Sequence, residues 1–570
     1  MIVVTDVKTE LSAAVLSPRR TRWRDAGAVA VAAGVGIVSF VFRFNTLGGA
    51  LGGFDNDHFI YLTRTDMLLS GEQPLRDFAD AELRGAWPAL SYLVSAWAQQ
   101  LGGHTLLPEA YLSVGALAVA NAAVFLLALD FSKRWMMALL AAATTAAMAP
   151  KLYNYPKVLM LALGVWALRA ALSSPSTLRL GAAAVVTAVA VLFRHDLGLY
   201  LGAATVTALV VRDLGRWPVL IRTIGTYIGL TGACLLPSLV WVQVYEGIPS
   251  YIRNSLASVA VERSRTELRL PSLDLAAPFT GESLLLVTYY VFWAVPVVAA
   301  CALIGRMVAS TTSATERMDR ALVAGLLVMG VLVNMSFLRA NLAARFGDAI
   351  VPLVLLAACT VGGASVWRSA TARRLAITLS FVLVAQMLAA AYSFSDIALE
   401  LDTSGLSDSW GKTARRYATA RADLRGLPPD TWPATGASAA MKAAGYIARC
   451  TTPDDRLLVT GAIHEIPVLA RRRFAAGQAM FKLSLYTSER DQRRALAKLE
   501  QQSVPIVLAD AREFGDGFLD DYPLLSQHLA SSYRHAGTIT VEGEPGFVVF
   551  VARRREPVHV DSELGLPCFR

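Results

Sequence analysis

Apolar residues along this 570-residue chain gather in runs of membrane-spanning length. The first extends from about Ala26 to Phe44. Ten more follow, at about 105–130, 135–150, 155–173, 179–194, 196–213, 220–243, 284–305, 320–338, 347–367 and 374–395. A bilayer core takes about 20 apolar residues per helix, so the pattern predicts about 11 transmembrane helices. A polar stretch, 45–104, separates the first two runs. It holds two short amphipathic pieces near 57–70 and 86–101, expected as interfacial helices. After Leu401 the pattern becomes mixed. RLLVTG (456–461), VPIVLAD (504–510), AGTITVE (536–542) and FVVFVAR (547–553) read as strands. Residues 489–502 and 520–533 read as helices, the first opened by a capping box of Ser488 and Asp491. The expected fold is a polytopic α-helical membrane protein with a small C-terminal α/β domain. Its parts are a tail (1–25), a transmembrane domain (26–401) containing the first outer loop (45–104), and the α/β domain (402–570).

Composition agrees. Hydrophobic residues make up 55% of the chain and charged ones 17%, against roughly a quarter charged in soluble proteins. The net charge is +9, of which residues 402–570 carry only +2. The excess lies in the membrane part, and no basic stripe marks a nucleic-acid binder. Arg19, Arg20, Arg22 and Arg24 precede the first run, which reads as an uncleaved signal-anchor with a cytoplasmic N-terminus. Alternate connections then carry Lys133 and Arg134; Arg169 and Arg179; Arg212, Arg216 and Arg222; Arg306, Arg317 and Arg320; Arg368, Arg373 and Arg374. These are the expected cytoplasmic loops, and an odd number of spans makes the α/β domain extracytoplasmic, on the outer face of a bacterial inner membrane. Cys234, Cys301 and Cys359 fall in apolar runs. Cys450 and Cys568 lie in the tail, where an oxidising compartment permits a bridge; their pairing stays open.

The outer connections carry the chemistry. They hold Lys151 and Lys157 in PKLYNYPK, with Tyr155 between them; Arg194, His195 and Asp196 in FRHDLG; and Arg339 and Arg345 in LRANLAARF. Asp55, Asp57, Asp77 and Glu82 share that face. Charges at the ends of apolar runs are costly without partners. Together they suggest a polar cavity where the bilayer meets the outer compartment. Arg and Lys there suit a phosphate, and a carboxylate suits a general base. Glycosyl transfer from a lipid phosphate needs both. The donor would be a polyprenyl-phosphate sugar, and the acceptor a hydroxyl of a glycan, lipid or protein. One displacement would invert the anomeric centre.

The same residues carry a family resemblance. DHFIYLTRTDMLLSGEQPLRDF (Asp57 to Phe78), then WPALSYLVSAWAQQLGG (Trp87 to Gly103), resembles the first outer loop of GT-C glycosyltransferases. That superfamily includes protein O-mannosyltransferases, lipid A aminoarabinose transferases and mycobacterial arabinofuranosyltransferases. Gly71, Pro74, Arg76, Asp77 and Phe78 match the loop's middle segment, and Pro88 leads its apolar helix. The resemblance implies a GT-C-like fold and puts the catalytic carboxylate on Asp57. The usual second acid is His58 here, a departure that Asp55 would make good. A divalent ion (Mg or Mn) held by Asp55 and Asp57 stays open. The expected phosphate contacts are Lys157, Arg194 and Arg345. Arg339, His195, Lys151, Tyr155 and Asp77 are the further substrate-binding candidates. Two other readings compete: a transporter, which would need charges near the midplane and paired repeats, and a glycan-binding envelope scaffold.

Overall fold

The computed structural model describes residues 26–47, 53–78, 90–173, 176–265, 274, 276–277, 280–308, 313–338, 342–363, 369–394, 397–429, 439–461, 463–481, 487–511, 514–541 and 544–570. Every apolar run is a helix. In chain order these are α1 (Ala26–Asn45), α4 (Leu106–Ser132), α5 (Trp135–Ala147), α6 (Tyr155–Ser173), α7 (Thr177–Phe193), α8 (His195–Asp213) and α9 (Trp217–Tyr245). Then come α11 (Gly281–Val308), α12 (Ala314–Asn334), α13 (Ala343–Gly363) and α14 (Ala370–Phe394). Among the described residues, eight helices are long and apolar enough to cross a membrane, and α5 and α7 are shorter apolar ones. This is a multi-pass helical membrane protein. Helix α13 forms the centre of the bundle, 89% of its apolar stretch being enclosed, whereas α9 is a rim helix with 11% enclosed.

The polar stretch after α1 holds α2 (Asn56–Leu69) and α3 (Leu90–Gly102). These coincide with the two amphipathic pieces, but neither lies free as an interfacial helix. Phe54, Phe59 and Leu62 pack into the bundle core, while Met67, Phe78 and Tyr92 pack into the core of the α/β unit. The loop is therefore clamped from both sides. Arg456 pairs with Glu72, and Arg494 donates to the Leu75 carbonyl at 3.2 Å. A helix with apolar residues on two faces is what such a clamp needs. Helix α10 (Ile248–Arg265) occupies the long connection after α9.

After α14, α15 (Ile397–Ser404) and α16 (Trp410–Arg425) still belong to the bundle, since Ala420 and Leu424 join its core. The α/β unit begins at α17 (Ala439–Cys450). Its sheet runs β1 (Leu458–Val459), β2 (Ile506–Asp510), β4 (Glu544–Ala552), β3 (Tyr533–Val541). The β1–β2 pair is parallel and the rest antiparallel. In β4, Phe547, Val549 and Val551 are buried and alternate with half-buried neighbours, the period-2 pattern of a sheet covered on one face. Helices α18 (Glu489–Leu499) and α19 (Pro523–Ser532) flank it, and Ser488 caps α18 by accepting from the Asp491 amide at 3.2 Å. Cys450 and Cys568 form a disulfide with Cα atoms 4.2 Å apart, closing the question of their pairing.

Candidate functional site

The two acids that open α2 have different surroundings. Asp55 is extended and caps the helix, its Oδ1 accepting from the His58 amide at 3.3 Å. Its Oδ2 lies 2.8 Å from Lys151 Nζ. Asp57 sits in the first turn, where the helix dipole favours a negative charge. The Tyr153 hydroxyl is within electrostatic reach of it. Lys151 lies over the Tyr153 ring at 5.8 Å. Asp55, Asp57, Lys151 and Tyr153 therefore form one polar group.

His58 points the other way. It is buried, and its Nε2 meets Glu109 Oε1 at 2.8 Å, while Ser95 Oγ donates to Glu109 Oε2 at 2.5 Å. This contact pins the start of α2, and so Asp57, to the first turn of α4. The departure from a second acid has a structural use: the ring is an anchor.

A second polar group lies at the start of α13. Lys157 pairs with Asp348, which also accepts from Asn154 Nδ2 at 3.3 Å. Arg194 grips Asp196 through two bonds of 3.0 and 2.8 Å. Lys157 is within electrostatic reach of Arg194 and Asp196. Tyr153 feels Asp55, Asp57 and Asp348 at once, so it joins the two groups. Its ring is also 6.3 Å from that of Tyr61, which in turn is in electrostatic range of Arg194. Two cations and two carboxylates here neutralise each other. In this group Asn154 Oδ1 and Asp348 Oδ1 are buried with no hydrogen-bond partner among the described residues; the same holds for Tyr155 Oη, which is in range of Glu109 and Tyr61, and for Arg345 Nε, three residues before Asp348 in α13. Buried polar atoms are nearly always satisfied, so the open oxygens of Asn154 and Asp348 are points where a ligand or water can bond.

A cavity of about 590 Å³ opens beside the acid pair. Asp55, Lys151, Arg43 and Glu400 line it, with apolar Leu47 and Leu152. Asp57, Lys157 and Arg194 are not on its wall.

The other candidates stand apart. His195 Nε2 meets the Tyr251 hydroxyl at 3.1 Å, a satisfied half-buried histidine. Asp77 orders its own loop, accepting from Arg76 Nε at 2.9 Å and the Gln73 amide at 2.8 Å. Burial alone would raise the Asp77 carboxyl, but these bonds hold it below the usual range. Arg339 and Glu82 lie outside the described residues. The acid pair does not fit a divalent metal as arranged. The Lys151 ammonium already faces Asp55, and among the described residues no third carboxylate, imidazole or thiol joins Asp55 and Asp57. Asp348 and Glu109 escaped the sequence reading although each breaks an apolar run at its first turn. A buried acid there needs a cation or donor, which was the available signal.

No protein-family model matches this chain, and no curated protein matches it. Among solved structures the chain is similar to the crystal structure of ArnT from Cupriavidus metallidurans bound to undecaprenyl phosphate, at 16% identity and a TM-score of 0.46, over 93% of this chain and 98% of that one. ArnT from the same organism in the apo state gives 16% identity and a TM-score of 0.43 over the same shares.

Proposed function

We propose that the protein is an inverting GT-C-type glycosyltransferase that moves a sugar from a polyprenyl phosphate to an acceptor hydroxyl on the outer face of the inner membrane. The observation that carries the reading is the set of open buried atoms beside a carboxylate base. Tyr155 Oη and Arg345 Nε are donors, suited to a phosphate. Asp348 Oδ1 and, as its amide is oriented, Asn154 Oδ1 are acceptors, suited to sugar hydroxyls. A sugar phosphate presents the complement of such donors and acceptors. Arg345 supplies the positive charge that the balanced Lys157–Asp348 and Arg194–Asp196 pairs do not.

In the reaction, Asp57 takes the proton of the acceptor hydroxyl. The acceptor oxygen bonds to the anomeric carbon as the bond from that carbon to the phosphate oxygen breaks. The leaving phosphate keeps the electron pair, and Arg345 with the neighbouring cations stabilises it. Tyr153 holds the Asp57 carboxylate in line, and the His58–Glu109 contact fixes the turn that carries it. The cavity at Asp55 and Lys151 is the approach for the acceptor. The disulfide agrees with an α/β unit in an oxidising compartment.

The test is proteoliposomes loaded with radiolabelled polyprenyl-phosphate sugars and candidate acceptors. Asp57→Asn, inserted and monodisperse, is expected to lose about 10²–10⁴-fold in transfer, the range for a general base. Full activity in that variant would refute the assignment. Movement of label without a covalent product would instead support a transporter, and binding alone a scaffold.

A further inference from the structure

Helix α16 lies across the ends of two membrane-spanning helices. Tyr417 stacks at an angle on Phe44 of α1, with ring centroids 5.0 Å apart, and its hydroxyl meets that of Tyr111 in α4 at 3.0 Å. Asn45, the last residue of α1, donates to the Ser404 and Thr413 carbonyls at 2.8 and 3.0 Å. Thr413, Ala420 and Leu424 are buried, so one face of α16 is fixed to the bundle where the apolar stretches of α1 and α4 end. That is the level at which a bilayer passes from hydrocarbon to headgroups.

The rest of the helix is turned outward. Lys412, Arg415, Arg416, Arg421 and Arg425 are exposed, against one acid of the helix, Asp423. Lys412 pairs with a carboxylate of the preceding turn, Asp408 at 3.0 Å, and among the described residues no ion pair is seen for Arg415, Arg416, Arg421 or Arg425. Trp410 opens the helix 80% exposed. A solvated basic face has no use for a bare tryptophan. Tryptophan is enriched where apolar chains meet headgroups, and clustered Lys and Arg there attract anionic lipid.

We infer that α16 is a lipid-binding helix that seats Trp410 in the bilayer surface and gathers anionic phospholipid headgroups with Arg415, Arg416 and Arg421. This occupant fits the charge and the position together. A soluble acidic protein would match the charge but leave the tryptophan unexplained.

The test uses the full-length protein in nanodiscs of phosphatidylcholine. A fraction of the lipid is replaced by 6,7-dibrominated phosphatidylglycerol or, separately, 6,7-dibrominated phosphatidylcholine. The Trp410 signal is the difference in emission between the protein and its Trp410→Phe variant. Brominated phosphatidylglycerol is expected to quench that signal about twofold more than brominated phosphatidylcholine at equal mole fraction. R415E/R416E/R421E should bring the two to equality, while R415K/R416K/R421K keeps the preference and shows that charge, not folding, is read. No quenching by either lipid, equal quenching in the parent protein, or an unchanged preference in the glutamate variant would overturn the inference.

Discussion

Asp348, at the candidate-site end of the helical bundle, is held differently from two buried acids at the other end. Asp130 ends α4 and Asp213 ends α8, both at the end remote from the candidate site. Each spends both oxygens on cations. Asp130 takes Lys133 on Oδ1 at 2.8 Å and Arg169 on Oδ2 at 3.2 Å. Asp213 takes Arg216 on Oδ1 at 2.9 Å and Arg212 on Oδ2. At the other end Asp348 receives Lys157 and Asn154 on the same oxygen and leaves Oδ1 bare. An acid with both oxygens matched is a closed structural joint. An acid held by one oxygen is anchored and still available, the arrangement a binding site requires. The difference separates ion pairs that fasten helices from one that also faces a substrate.

The largest effect should come from breaking the Lys157–Asp348 pair. Lys157→Met leaves buried Asp348 with no cation bonded to it, Arg194 acting only at longer range, and removing one partner of a buried pair costs about 3–5 kcal/mol. The thermal midpoint in detergent should fall accordingly. Adding Asp348→Leu should recover most of that loss, because the uncompensated charge is gone, while transfer stays absent. If the double variant were no more stable than Lys157→Met alone, the two residues would not be a pair.

Much of this was legible in the sequence. Apolar run length depends on one physical requirement, so all 11 runs appear as helices at nearly the expected bounds. The alternation in 547–553 and the cap at Ser488 were equally local. Lys157 and Arg194 stood out because a cation in an apolar run is costly. Asp196, the partner of Arg194, was legible two residues away, but the partner of Lys157 was not. Asp348 is 191 residues from Lys157, and nothing local in FGDAIVPLV says which cation it faces. His58 read as a defect in the acid pair because its partner, Glu109, lies in another helix. The burial of α2 on two sides was hidden for the same reason: a short amphipathic segment looks alike on a membrane surface and between two cores.

Arg345 sharpens the contrast, since its Nε is buried without a partner. Arg345→Met removes no existing contact of that nitrogen, so stability should change by less than about 0.5 kcal/mol. If the guanidinium binds the donor phosphate, KM for the lipid donor should rise about 10- to 100-fold, the worth of a charged hydrogen bond. A midpoint that drops as far as in Lys157→Met would make Arg345 a structural joint instead.

Asp66, in the clamped helix α2, gives a pH test. Burial pushes its carboxyl from an ordinary 3.8 up to about 7, with Arg471 offsetting part of the rise. The folded state thus prefers the protonated acid. Its contribution is full below about pH 4 and is lost as pH rises towards 7. Asp66→Asn should flatten that part of the stability profile between pH 4 and 7, measured as thermal midpoints at fixed ionic strength. An unchanged slope would mean that the carboxyl is already solvated in the folded protein.

The smallest effect belongs to the remote end. Lys133 is 53% exposed and shares Asp130 with the better buried Arg169. Removing it strips one oxygen of a cation at the solvent edge, where an ion pair is worth about 0–1 kcal/mol. Asp130 keeps Arg169 and is not left uncompensated. Lys133→Met should therefore shift the midpoint far less than Lys157→Met, and transfer should be unaffected. A loss matching that of Lys157→Met would erase the distinction between the two ends, because it would show that a doubly held acid is as sensitive to one missing cation as a singly held one.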